Sequence, residues 1–345
     1  MTDILSMYED ELTQFVLEIG EEKYRAKQLF TWLHKGAALD EMTNVPKKMR
    51  EKLAEKAVIP AVRIEEKQVS SDGTIKYLYR CFDGEFIESV FMRHDYGNTV
   101  CVSSQAGCRM GCRFCASTLH GLKRSLYASE MLSQIYAAQK DTGERVSNVV
   151  IMGMGEPFDN YDNVVRFIRL LNCENGLNIG CRKISLSTCG LVDGINRFAD
   201  EELPVTLSVS LHSPTNEQRN EIMPVNRRYP IEELLSACRR YFEKTGRRIS
   251  FEYALIDGKN NGENDAKTLA KLLKSSLPNM AIHVNLIPVN PIKERDFRRG
   301  ERVMTEKFVR TLEKCGVNAT VRKRLGADID ASCGQLRARK YEEKA

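Results

Sequence analysis

Apolar residues recur at helical spacing in the first part of the chain. They fall three and four positions apart within residues 12–19 and again within 26–33, which predicts two amphipathic helices. Pro46 suits the first turn of a helix, so a third helix is predicted over 47–56. The sequence therefore predicts a helical module over residues 1–60. It is either a packing appendage of the core or a surface with a binding role of its own.

The pattern changes to strands between residues 62 and 103. Asp72-Gly73 and Asp83-Gly84 are hairpin signals, flanked by β-forming residues over 75–79 and 86–91. Glu88 stands inside the second of these runs. It is either the outward residue of an alternating strand or a functional carboxylate. We expect residues 61–93 to form a β-hairpin linker.

After residue 94, predicted strands and helices alternate. Strands are expected over 146–152, 183–187, 205–211, 249–253, 282–287 and 319–322, and helices over 161–171, 231–244, 263–274 and 303–314. Repeated strand–helix units predict a parallel sheet in an α/β fold. About six such units are too few to close an eight-stranded barrel, so residues 94–327 should form an open, partial (βα)6 barrel. Residues 328–345 would be a C-terminal segment.

Composition narrows the class of protein. The 345 residues are 42% hydrophobic and 29% charged, as in ordinary globular proteins. We see no apolar run of about 20 residues that would span a membrane, and no basic start followed by an apolar core that would direct secretion. We therefore expect a cytoplasmic protein. A monomer is expected as well. Eleven cysteines in such a chain favour metal or redox chemistry over structural disulfides.

The charge of the chain says less about its partners. A net charge of +5 is too small to identify a nucleic-acid partner. Basic residues do cluster in the C-terminal half, at 239–240, 247–248, 298–299, 322–324 and 337–340. Each cluster is either solvated surface or part of an RNA-binding face.

The central chemical feature is the spacing of Cys108, Cys112 and Cys115. These cysteines follow the apolar run 99–103, so they should lie on a loop at the end of a strand. Three thiolates are one short of a closed zinc site or a fully ligated four-iron cluster, which would leave one iron open. The alternatives are buried thiols or a zinc knuckle with a distant fourth ligand. C-x3-C-x2-C resembles the signature of the radical S-adenosylmethionine (SAM) enzymes.

Polar residues follow several of the predicted strands. Gly155 would let a ligand approach the backbone, and Glu156 could accept from an ammonium group. Ser187, Ser210 and Asn290 are neutral groups suited to a carboxylate or to ribose hydroxyls. Each residue is a weak signal alone. Together, beside the cysteines, they predict a pocket for a nucleoside that carries an amino acid.

Further motifs extend the resemblance over nearly the whole chain. In order they are Cys101-Val-Ser-Ser-Gln-Ala-Gly-Cys108, Met152-Gly-Met-Gly-Glu-Pro157, Ser210-Leu-His-Ser-Pro214, Met223-Pro-Val-Asn226, His283-Val-Asn-Leu-Ile-Pro288 and Asp328-Ile-Asp-Ala-Ser-Cys-Gly-Gln-Leu336. The chain thus resembles the RlmN/Cfr family of radical SAM RNA methyltransferases. Two departures from the family pattern are small: Ser332 stands where alanine is usual, and Cys189 where serine is common.

The resemblance implies a role for each matching residue. The ligands of a [4Fe-4S] cluster would be Cys108, Cys112 and Cys115. The residues lining the SAM site would be Gly155, Glu156, Ser187, Ser210, Leu211, His212 and Asn290. The catalytic residues would be Cys333 as methyl carrier, Cys101 as its partner in a transient disulfide, and Glu88 as the proton-transfer residue.

The implied reaction is methylation of carbon 2 of adenosine in 23S rRNA, at the peptidyl-transferase centre, and in tRNA, next to the anticodon. One SAM would methylate Cys333. A second SAM would yield a 5′-deoxyadenosyl radical that activates this methyl group for addition to adenine. An electron donor such as flavodoxin would reduce the cluster. Carbon 2 bears no acidic proton, which explains the need for a radical.

Two alternatives remain at this point. One is the Cfr type of the same family, which methylates carbon 8 of the rRNA adenine and gives antibiotic resistance. Gly155-Glu156-Pro157 followed by Asp159-Asn-Tyr161-Asp-Asn163 resembles the carbon-2 branch more closely. The other is a noncatalytic iron–sulfur RNA-binding protein, which would have no reason to keep both Cys101 and Cys333.

Overall fold

The N-terminal module consists of three helices and a short strand pair. The computed structural model describes residues 1–290, 296–329 and 334–342. The helices are α1 (Glu9–Glu18), α2 (Tyr24–Leu33) and α3 (Lys47–Lys56). The strands β1 (Thr2–Asp3) and β2 (Ala57–Val58) pair in parallel and join the two ends of the module. The three predicted helices are confirmed, whereas two-residue strands are too short to leave a sequence pattern.

Twelve further strands follow in the described part of the chain. They are β3 (Arg63–Val69), β4 (Ile75–Arg80), β5 (Phe86–Met92), β6 (Asn98–Cys101), β7 (Gln105–Gly107), β8 (Leu122–Ser125), β9 (Val146–Ile151), β10 (Ile184–Thr188), β11 (Thr206–Ser210), β12 (Ile249–Leu255), β13 (His283–Pro288) and β14 (Asn318–Val321). Ten of them form one sheet in the order β14-β13-β12-β11-β10-β9-β6-β5-β4-β3, while β7 and β8 pair separately. The predicted core strands are therefore present.

Helices connect the parallel strands. They are α4 (Ala128–Thr142), α5 (Tyr161–Asn172), α6 (Val192–Asp200), α7 (Asn216–Ile222), α8 (Ile231–Thr245), α9 (Glu263–Ser276) and α10 (Arg302–Lys314), and α11 (Gln335–Glu342) follows β14. Strands β6 and β9 to β14 pair in parallel. Six strand–helix units followed by β14 confirm the open (βα)6 barrel. Within the described ranges, every helix is too short or too polar to cross a membrane.

The linker strands continue this sheet. β5 pairs with β6 and with β4, and β4 pairs with β3, all antiparallel. Both faces of β5 are buried, since Phe86 to Phe91 are all buried. The predicted hairpins are therefore an extension of the core sheet. The domain boundaries at residues 60, 93 and 327 remain predictions.

Candidate functional site

The three motif cysteines line one cavity at the carboxyl ends of the parallel strands. This cluster cavity has a volume of about 270 Å³ and is lined by Cys108, Cys112 and Cys115 from the loop between β7 and β8. Burial, with a smaller contribution from the neighbouring Cys115, raises the pKa of the Cys108 thiol to about 12. Burial likewise raises the pKa of Cys112 well above its usual value. Only a bound metal would hold these thiols as thiolates at neutral pH.

The number of thiols bears on which metal they could hold. Cys108, Cys112 and Cys115 place three thiols in the lining of one cavity. A closed zinc site needs four ligands on the same ion. In a four-iron cube each cysteine binds a different iron, so three thiolates leave one iron open. The donor set therefore fits an iron–sulfur cluster with an open iron.

Glu156, on the loop between β9 and α5, hydrogen-bonds its own loop and the end of β10. Its carboxylate accepts from Thr188 Oγ1 at 2.7 Å, from the Cys189 N–H at 2.7 Å and from the Phe158 N–H at 3.0 Å. Burial raises the pKa of this carboxyl, and the three donors oppose that effect. Its carboxylate is therefore occupied largely by its own chain.

Gly155 lies against Gln105, and the approach of a ligand that the sequence analysis expected there stays a prediction. Its φ is +101°, and a Cβ there would lie 2.6 Å from Cβ of Gln105. The Gln105 side chain accepts from the Glu156 N–H at 2.9 Å and donates to Asp159 at 2.9 Å. Only glycine fits this turn without displacing Gln105. The turn is thus fixed by contacts with the strand that leads to the cysteines.

Ser187 and Ser210 converge on a carboxylate that the sequence analysis did not identify. Glu252, on β12, accepts from Ser187 Oγ at 2.8 Å and from Ser210 Oγ at 3.4 Å through Oε2. All three residues line the cluster cavity. The other oxygen, Oε1, is buried and accepts no hydrogen bond from the described part of the chain. A ligand hydroxyl or ammonium group would satisfy it, as the ribose or the amino group of SAM could.

His212 also lines the cavity, and Phe114 of the cysteine loop packs edge-on against it at 4.8 Å. Its Nδ1 accepts from the Ala254 N–H at 2.8 Å, so the proton of the neutral ring is on Nε2. Burial lowers the pKa of His212 to about 3, which keeps the ring neutral at physiological pH.

Leu211 differs from its neighbours, because it is fully buried and does not line the cavity. Asn290 does line it.

Arg219 is the second residue that the sequence analysis missed. Its fully buried guanidinium donates to the carbonyls of Cys189 at 2.8 Å, Ser210 at 3.1 Å and Leu211 at 3.0 Å. Burial lowers its pKa to about 10, so the side chain stays charged at neutral pH. Arg219 thereby ties the ends of β10 and β11 together behind the cavity. An arginine in a polar, helix-forming stretch gives no sequence signal for this role.

Glu88 is buried, which excludes the outward position on an alternating strand. Its side chain is 2% exposed and pairs with the fully buried Lys76 of β4, with Nζ 2.5 Å from Oε2. The carboxylate also accepts from the N–H groups of Gly334 at 2.5 Å and Arg337 at 2.7 Å. Glu88 therefore anchors the start of α11. The sequence analysis did not identify Lys76 as its partner.

Gly334 lies between Glu88 and the cysteine loop. Its φ is +87°, and a Cβ there would lie 2.4 Å from the Ser117 nitrogen, two residues after Cys115. Cys333 precedes Gly334 in the chain but lies outside the described residues. Cys101 is buried on β6, directly opposite Val90 of β5. The described part of the chain gives no support to the expected disulfide between Cys101 and Cys333.

The helical module and the barrel each match a known protein family. Residues 102–273 match the radical SAM superfamily. Residues 2–59 match the N-terminal domain of ribosomal RNA large subunit methyltransferases. The first match contains the three cysteines and most strands of the partial barrel, and the second contains the helical module.

Individual relatives match over the whole length. A probable dual-specificity RNA methyltransferase RlmN from Lachnospira eligens is 51% identical over 99% of this chain and 98% of its own. A protein of the same description from Geobacillus kaustophilus is 48% identical over 100% and 94%. The crystal structure of a radical SAM methyltransferase from Sphaerobacter thermophilus superposes with a TM-score of 0.92 at 43% identity, over 97% of this chain and 99% of that chain.

Proposed function

Because the chain belongs to the RlmN family of dual-specificity RNA methyltransferases, within the radical SAM superfamily, we propose that it methylates carbon 2 of adenosine. This membership confirms the resemblance found in the motifs. The substrates would be 23S rRNA at the peptidyl-transferase centre and tRNA next to the anticodon. Such substrates place the proposed reaction in the cytoplasm. The expected electron donor, such as flavodoxin, and the expected monomer belong to the same proposal.

The contact of Glu88 with Gly334 supports the methyl-carrier mechanism most directly. Gly334 follows Cys333 in the chain, and its N–H donates to Glu88 at 2.5 Å. Cys101 lies opposite Val90, which shares a face of β5 with Glu88 because the two are two residues apart. The proposed base Glu88 would therefore lie close to the thiol of Cys101 and to the segment that bears the proposed methyl carrier.

The residues of the cluster cavity fit both SAM and a cluster. Cys108, Cys112 and Cys115 would hold a [4Fe-4S] cluster, whose chemistry, when bound, is one-electron cleavage of SAM to a carbon radical. Ser187 and Ser210, with Glu252, offer hydrogen-bonding groups for the ribose and amino groups of SAM. The buried walls of the cavity would exclude water from a reactive radical.

Three side chains would complete the reaction on RNA. Cys333 would carry the methyl carbon to adenine, which leaves a covalent protein–RNA adduct. Glu88 would accept the proton from carbon 2. Cys101, as a thiolate, would then attack the sulfur of Cys333 in the manner of a thiol exchange, so that an S–S bond forms as the bond between that sulfur and the transferred carbon breaks. The carbon would leave with the electron pair and take up a proton, which gives the methylated base.

The Cys101→Ala variant tests this sequence of steps. It should methylate Cys333 and attack adenine, then stall as an adduct that survives denaturation and is removed by ribonuclease. Cys333→Ala is the matched control and should form no adduct, since it lacks the carbon donor. Denaturing electrophoresis with RNA separates the two outcomes. A folded Cys101→Ala protein without an adduct, or an adduct from Cys333→Ala, would overturn the assignment.

Mass spectrometry of nucleosides from RNA treated with the wild-type enzyme tests the position of the methyl group. 2-Methyladenosine is the expected product. 8-Methyladenosine would instead place the chain with the Cfr type. If neither product forms and SAM is not cleaved under reducing conditions, the noncatalytic alternative is correct.

A further inference from the structure

A second and larger cavity, of about 950 Å³, adjoins the cluster cavity. It lies on one face of the open sheet, since Thr99 and Cys101 of β6 and Asn148 and Val150 of β9 occupy alternate positions in its lining. Residues that line both cavities are Met152, Ile287, Pro288, Asn290 and Arg322. A molecule in the larger cavity would therefore reach Cys101 and border the proposed SAM site.

This larger cavity, which we call the basic cavity, has a strong excess of positive charge. Its cationic side chains are Arg182, Lys183, Arg299, Arg322, Lys323 and Arg324. All six residues are exposed, and among the described residues none has a carboxylate partner, whereas Arg337 and Arg339 form ion pairs. Among the described residues of the lining, the carboxylate is that of Asp328, which accepts from Ser70 and Ser71. Such a lining attracts a polyanion.

An aromatic pair stands in the same cavity. His94 and Tyr96, on the loop between β5 and β6, stack with ring centroids 4.6 Å apart and planes 9° apart. Tyr96 is 67% exposed. Burial and the nearby Lys323 both lower the pKa of His94, which favours the neutral form of its ring at neutral pH. An exposed, uncharged aromatic stack beside unpaired cations has the two features of a site for single-stranded nucleic acid.

We propose that the basic cavity holds a single-stranded segment of the RNA substrate, and that a base flanking the reacting adenosine stacks on Tyr96. The proposal rests on the proposed function and adds how the RNA is held. An unpaired segment is required because bases inside a duplex offer no face to an aromatic side chain. An acidic protein would meet the cations but would leave the aromatic pair without a role.

The position of Tyr96 assigns it to a flanking base. Tyr96 lies two residues before the start of β6, and Cys101 is the last residue of that strand. At about 3.3 Å per residue, β6 separates the two by roughly 10 Å or more. The reacting adenine must lie near Cys101, so the base on Tyr96 is a neighbour. The six cations would contact the phosphates between and beyond these nucleotides.

Binding without chemistry tests the aromatic part of the proposal. The full-length reconstituted protein is titrated into a fluorescein-labelled tRNA anticodon stem-loop, without reductant, and followed by fluorescence anisotropy. Tyr96→Ala should raise Kd about 10-fold, the loss typical of one base–aromatic stack. Tyr96→Phe and Tyr96→Trp keep a ring and should bind within about twofold of wild type. Tyr96→Leu, which keeps apolar volume without a ring, should behave like Tyr96→Ala.

Salt dependence tests the electrostatic part. Lys323→Ala should reduce the slope of log K against log salt by about 0.7, as for one lost phosphate contact on a single strand. Arg239→Ala is the control, because Arg239 lies on α8, outside the basic cavity, and should leave the slope unchanged. Tyr96→Ala should lower affinity at every salt concentration without changing the slope.

The outcomes separate this proposal from the proposed function. Wild-type affinity in Tyr96→Ala overturns the stacking site, even if Lys323→Ala binds more weakly, because the cavity would then be a general anion site. A wild-type enzyme that methylates adenosine while both variants bind normally also overturns it. A wild-type protein that binds RNA through Tyr96 but forms no methylated adenosine would reject the proposed function and leave the binding site standing.

Discussion

The buried ion pair between Lys76 and Glu88 should hold helix α11 against the sheet, and Lys76→Met tests this role. The substitution leaves a carboxylate that is 2% exposed without the ammonium group 2.5 Å away. Removing one member of a buried pair typically costs about 3–5 kcal/mol. Glu88 accepts hydrogen bonds from the N–H groups of Gly334 and Arg337. We therefore expect the lost free energy to destabilise mainly the segment at the start of α11, which should open more often.

Hydrogen exchange followed by mass spectrometry measures that opening directly. If about 3 kcal/mol is lost locally, exchange in the peptide covering α11 should rise roughly 150-fold. Lys67→Met is the matched control, since Lys67 on β3 pairs with Asp141 but is 36% exposed. Its loss should cost less than about 1 kcal/mol. Adding Glu88→Gln to Lys76→Met should recover part of the protection. Equal exchange in the two lysine variants would refute the reasoning.

Three further predictions address the cavity and the N-terminal module. Cys112→Ala should lose the cluster and all SAM cleavage, because two thiolates cannot hold a four-iron cube; full iron content and activity would contradict this. Gly155→Ala should weaken SAM binding about 10-fold or more in equilibrium dialysis, since its φ is +101° and the new Cβ meets Gln105. Burial lowers the pKa of His34 to about 4 in the folded state, so only the unfolded chain takes up a proton as pH falls from about 6.5 towards 4. The free energy of unfolding should therefore fall through that window, by about 1.4 kcal/mol at pH 5.5. Urea unfolding at pH 5.5 and 7.5 measures this loss, and His34→Gln should not show this part of it.

The sequence by itself determined the features that depend on local spacing. The three helices of the first module and the alternating strands and helices of the barrel follow from hydrophobic periodicity, which is a property of neighbouring residues. The three cysteines could be identified because cluster ligands on one loop must be close in the chain. The polar residues at strand ends were also predictable, since parallel strands present their carboxyl ends at one edge. Each of these signals needs no knowledge of distant contacts.

The tertiary structure decided the partners of these residues. Lys76 meets Glu88 because β4 and β5 are neighbouring strands of the sheet, and both faces of β5 are buried in the folded chain. Glu252 reaches the cavity, and Arg219 supports it from behind, on elements that carry no motif. Tyr96 and Lys323 line one cavity although more than two hundred residues separate them in the chain. Periodicity gives the direction of a side chain along its own element, but a charged or polar partner is selected by the packing of elements that are distant in sequence.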